Sequence, residues 1–126
     1  MKTLARLLLG VLVAFATAAC GSSTTAPSSG GTPTNTITIT PTGVSPQAIV
    51  VSQGSQVTFI NNDTREHDMY SDPHPEHTDC PEINQVGALL AGQRQQTGNL
   101  TTIRTCGYHD HLDATNASLR GTIKIQ

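Results

Sequence analysis

The chain has 126 residues with seven basic and nine acidic side chains, a formal net charge of −2, two Phe, two Tyr and no Trp. That length suits one domain, and its core must be built mostly from Ile, Val and Leu. No basic patch is available to neutralise phosphates, which excludes nucleic acid as a partner.

The first twenty residues, "MKTLARLLLGVLVAFATAAC", combine a short basic start (Lys2, Arg6), an apolar run from Leu7 to Phe15, and small residues before Cys20. This is the layout of a secretory signal over residues 1–19. The run is shorter than the ~20 residues a membrane-spanning helix needs. The stretch "TAAC" followed by Gly21-Ser22-Ser23 resembles the lipobox of bacterial lipoproteins, with Thr17 departing from the usual Leu. The resemblance implies a lipidated Cys20 and a protein exported and anchored to a bacterial membrane, facing the periplasm or the exterior. Residues 20–36 then continue in Ser, Thr, Gly and Pro without charge or any large apolar side chain, a flexible tether. Residues 37–126 remain for the folded domain. Without Lys2 and Arg6 the mature chain keeps five basic against nine acidic residues, a net charge near −4.

The domain reads as all-β. "NTITIT" alternates Ile37 and Ile39 with threonine, the period of a half-buried strand. "PTGVSPQ" is turn chemistry, and strands are expected at 48–51 and 56–60 around a Gly54 turn. "EHDMY" is a candidate short strand with His67 and Met69 on one face. Residues 71–85, rich in proline and charge, read as a loop. A short strand or turn is expected near 88–90, and a strand near 100–106. "HLDATNASL" reads as a loop with at most one helical turn, and a last strand buries Ile123 and Ile125. Short strands separated by turn signals at this spacing predict a β-sandwich.

All five histidines fall in two groups, residues 67–77 and 109–111. Seven acidic residues between Asp63 and Glu82 surround the first group. In the second, "RTCGYHDH" sets Cys106 beside His109 and His111. A thiolate with neutral imidazoles is the donor set of a soft-metal redox site.

The segments "ITPTGVSPQAIVVSQGSQVTFINNDTREHDM" and "RTCGYHDH…LRGTIKI" resemble the plastocyanin/azurin family of cupredoxins. Pro46, Ile49, Val51, Gly54, Val57, Phe59, Asn61 and Asp63 fit the family's run of residues before the first copper histidine, and His67 falls at that ligand. The resemblance implies a Greek-key β-sandwich, a copper ion held by His67, Cys106 and either His109 or His111, and a redox partner protein. The axial Met of the family is matched by Leu119, which cannot donate to copper. Met69 reads as core.

Cys80 opens a second reading. Two cysteines in an oxidising compartment pair by default, and a Cys80–Cys106 disulfide removes the thiolate. Histidines 67, 109 and 111, with His74 or His77, can then hold copper or zinc through imidazole alone. His74, His77 and Cys80, spaced His-x-x-His-x-x-Cys, form a candidate second metal site. Alternatively the acidic loop is simply solvated, or lends a ligand to the main site. The functions left open are a lipid-anchored copper protein for electron transfer or copper handling, a non-blue copper or zinc module, and a metal-free interaction domain. No nucleophile elbow, phosphate loop or Ser-His-Asp order appears, so no enzyme is expected.

Overall fold

The computed structural model describes residues 35–126. The expected signal peptide, Cys20 and nearly all of the tether lie outside them. The described residues form nine strands: β1 (Thr36–Thr40), β2 (Gly43–Ser45), β3 (Ala48–Val51), β4 (Thr58–Asn61), β5 (His67–Ser71), β6 (Gly87–Leu89), β7 (Arg94–Gln96), β8 (Thr105–Asp110) and β9 (Arg120–Ile125). Single 3-10 turns cover Ile83–Gln85, His111–Asp113 and Ala117–Leu119.

Two sheets result, one ordered β2-β1-β4-β7 and the other β3-β9-β8-β5-β6. Parallel pairs β1–β4 and β3–β9 sit within otherwise antiparallel neighbours. The inner faces follow the period-two pattern: Ile37 and Ile39 on β1, Phe59 on β4, Met69 on β5, Ile123 and Ile125 on β9 are all buried. Phe59 meets Tyr108 edge to face with ring centroids 5.2 Å apart, joining the two sheets at the core's centre. A Cβ on Gly121 would collide with the Gln47 carbonyl and the Tyr108 hydroxyl, so β9 approaches its neighbours at a position only glycine fits.

Several elements differ from expectation, among them strand β2 within the segment read as turn chemistry, and one difference matters. The strand expected at 100–106 instead runs from Thr105 to Asp110. Cys106, Tyr108 and Asp110 alternate inward along it, an inward row containing a carboxylate that hydropathy does not reveal. His109 is therefore a strand residue, and only His111 lies in the turn that follows. The short strand β7 was also unforeseen, because "RQQ" is exposed at all three positions and has no apolar face.

Candidate metal centre

The loop after β5 begins where Ser71 pairs with Tyr108 of β8. Beyond that pair Asp72 N–H donates to the Gly107 carbonyl at 3.0 Å, and Gly107 N–H donates to Asp79 Oδ2 at 3.3 Å. The loop thus stays against β8 as it turns back. Its far end is fixed by a disulfide between Cys80 and Cys106, both fully buried. Asn84 ties the loop from within, accepting from Ser71 N–H at 2.9 Å and donating to the His77 carbonyl at 2.8 Å.

These restraints lay the two histidine groups together. Ligating atoms of His74, His77, His109 and His111 all lie within 4.8 Å of one another. His109 is the buried member. Its Nδ1 is 2.6 Å from Asp72 Oδ1, so Nδ1–H donates to the carboxylate. Its Nε2 is buried and has no hydrogen-bond partner. Burial holds the His109 pKa below the ordinary imidazole value, and the neighbouring His77 and His74 add to this while Asp72 opposes it. The ring is kept neutral, with a lone pair on Nε2.

His77 is oriented by the same device with a different acceptor. Its Nδ1 lies 2.9 Å from the Ser71 carbonyl, which can only accept, so Nε2 carries the lone pair. That Nε2 is 3.0 Å from His111 Nδ1. The His77 backbone has φ of 55°, in the left-handed region that side chains seldom adopt. Such strain collects at functional positions, and here it turns the ring back over the sheet. Tyr70, which pairs with His109 across β5 and β8, packs against His77 and His111 with centroids 4.6 and 5.6 Å away. His74 completes the group on its exposed side, 4.8 Å from His111 and 5.4 Å from His109 between ring centroids.

Two ligands expected from the family resemblance are corrected. The Cys106 sulfur is consumed by the disulfide and cannot act as a thiolate. His67 is buried on the inner side, with Nδ1 2.7 Å from Asp110 Oδ2 and Nε2 3.2 Å from Asp63 Oδ2. Both ring nitrogens are engaged, so neither is free for a metal. The residues of the expected second site are divided: Cys80 is disulfide-bonded, and His74 and His77 lie with His109 and His111. Asp72 and Gly107 were not singled out from the sequence. Nothing distinguishes Asp72 from its acidic neighbours until the register of β5 on β8 is known.

The residues suit a metal ion bound by nitrogen. Two ligands about 2.0–2.1 Å from one ion lie about 2.9–3.4 Å apart at right or tetrahedral angles, a range that includes the His77–His111 separation of 3.0 Å. The widest separation, 4.8 Å, exceeds any such pair, and the exposed His74 and His111 are the members free to close it.

Solved structures share this architecture. A purple cupredoxin from Nitrosopumilus maritimus superposes with a TM-score of 0.56 at 17% identity, over 72% of this chain and 98% of that one. Oxidised plastocyanin from Dryopteris crassirhizoma gives 0.57 at 17%, over 72% and 99%. The chain has the cupredoxin fold. A copper-containing nitrite reductase from Thermus scotoductus also matches, with a TM-score of 0.52 at 18% identity over 72% of this chain, but this covers only 22% of its length. At these identities the likeness carries the cupredoxin fold alone. No protein-family model matches the sequence, and no curated protein does so.

Proposed function

We propose that this protein is a copper-binding cupredoxin-fold module that holds the ion through imidazole alone, at His74, His77, His109 and His111, and serves copper handling outside the cytoplasm. The observation that carries the reading is His109 Nε2, a buried lone pair without a partner, in a ring whose other nitrogen is fixed by Asp72. A carboxylate behind a histidine in this way fixes its tautomer and raises its basicity as a ligand. Imidazole suits copper(II), nickel and zinc, and copper(II) stands highest among them in affinity for a given nitrogen site. Bound copper would supply a one-electron couple. The protein contributes two rigidly oriented ligands from β8 and the loop, and two exposed ones through which an ion can be exchanged with a partner protein.

With Cys106 in the disulfide, the site lacks the sulfur donor of a blue centre, so its copper(II) form lacks an intense thiolate-to-copper band. A buried disulfide fits an oxidising compartment. Together with the signal-like start and the lipobox resemblance at Cys20, it supports export and lipid anchoring at a bacterial membrane. No catalytic role is proposed. The test is copper(II) titration of the purified protein against a competing chelator, with zinc as comparison. Tight one-to-one binding that His109→Ala weakens by about 10-fold or more is expected. Wild-type binding that survives His109→Ala unchanged overturns the reading.

A further inference from the structure

His67, the residue best matched to a copper ligand by sequence, has both ring nitrogens turned to carboxylates. We propose that Asp110, held by His67, is a positioning residue that sets His111 at the metal centre; the inference rests on the four-imidazole reading above.

Asp110 lies between His109 and His111 but points to the opposite side of the sheet, into the interior. Its two oxygens divide the work. Oδ2 meets His67 Nδ1 at 2.7 Å. Oδ1 accepts from Asp68 N–H at 3.0 Å and from Leu112 N–H at 3.1 Å. The Leu112 bond caps the 3-10 turn His111–Asp113. His111 is thereby bracketed by the carboxylate's own residue and by the N–H it captures, and the Asp68 bond fixes both to β5. Asp110 is only 2% exposed, and a buried carboxylate needs compensation to stay in place. His67 supplies it, and is itself held from the far side by Asp63 Oδ2 at 3.2 Å.

The turn before His67 is built for this. Asn61 is fully buried; it donates to the Arg65 and Leu89 carbonyls at 2.7 and 2.8 Å and accepts from Asp63 N–H at 2.8 Å. Asp63 in turn accepts from Thr64 N–H at 2.6 Å and from Arg65 Nε at 3.3 Å. The chain of contacts Asn61, Asp63, His67, Asp110 ends at the backbone of an exposed imidazole whose only side-chain hydrogen bond is to His77. In this protein the "NNDTREH" run acts as a clamp behind the metal loop.

The test compares Asp110→Ala, which removes the cap, with Asp110→Asn, which keeps an acceptor for Leu112 N–H. In the metal-free protein, NMR contacts between the His77 and His111 rings are expected in wild type and Asp110→Asn and lost in Asp110→Ala. In copper(II) titrations, Asp110→Ala is expected to weaken binding about 10-fold or more, and to add nothing in a His111→Ala background. Electron paramagnetic resonance of Asp110→Ala should report one fewer coordinated nitrogen. An equal loss in both His111 and His111→Ala backgrounds, or retained ring contacts in Asp110→Ala, overturns the inference. Should Asp110→Ala not fold, His67→Leu carries the same cycle, since it removes the ring that lies between Asp110 and Asp63. A wild-type protein that binds no copper defeats the metal reading alone, because the ring contacts judge the clamp without metal.

Discussion

Gly107→Ala probes the link between fold and site with a single methyl group. A Cβ at this position falls on the Asp72 carboxylate, 2.9 Å from Cγ and 3.2 Å from Cβ, with Oδ2 closer still. The backbones cannot separate easily, since Asp72 N–H donates to the Gly107 carbonyl. The carboxylate must therefore swing off His109 Nδ1. A hydrogen bond to a charged group contributes about 1.5–3 kcal/mol. Asp72 is 29% exposed, so the lower end applies, and overpacking adds about 1 kcal/mol. The sum of about 2.5 kcal/mol corresponds to a fall in Tm of about 10 °C or more for a domain this size. Copper(II) affinity is expected to drop about 10-fold or more as His109 loses its orienting partner. Thermal unfolding and competitive titration check both effects. In an Asp72→Ala background the carboxylate clash is gone and only the 3.2 Å contact with Cβ remains, so Gly107→Ala should cost less there. The same cost in both backgrounds, or a wild-type Tm and affinity in Gly107→Ala, refutes the reasoning.

Replacing Cys80 and Cys106 together by alanine releases a crosslink spanning 26 residues. Loop entropy then predicts a loss of about 3–4 kcal/mol in urea unfolding, with no change in the type of copper spectrum. His77→Asn removes a ligand while tolerating the left-handed backbone, and should weaken copper(II) binding about 10-fold or more. His77→Ala should be less stable than His77→Asn by about 1 kcal/mol, because alanine resists positive φ. Burial raises the Asp63 pKa, but bonds from Thr64, His67 and Arg65 outweigh it and lower the net value below the ordinary 3.8. Stability from Asp63 is thus present above that pH and lost as pH falls through the lower folded value. Acid unfolding of Asp63→Asn should show a shallower pH dependence in that range.

Much of the sandwich was legible in the sequence, because Ile37, Ile39, Phe59, Ile123 and Ile125 repeat with period two and glycines mark the turns. The site was legible only as a set of residue types. Cys106 and His67 carry the family's spacing, yet chemistry at the partner positions redirects both: Cys80 takes the sulfur, and Asp63 with Asp110 takes the imidazole. The Cys80–Cys106 pairing was one of two open readings in the sequence, whereas the carboxylate partners of His67 are identifiable only once β5 is paired with β8. His74 and His77 are 32 or more positions from His109, and only the pairing of Ser71 with Tyr108 brings them together. β7 was missed because three exposed polar residues give no periodic signal.

The most direct test of the central claim is electron paramagnetic resonance of the copper(II) protein with and without nitrogen-15-labelled histidine. Coupling to several histidine nitrogens, with no thiolate signature and no change on Cys106→Ala, is the predicted result. A spectrum with sulfur coordination that Cys106→Ala abolishes, or that His67→Ala alters at the ligand nitrogens while His74→Ala and His77→Ala do not, contradicts it.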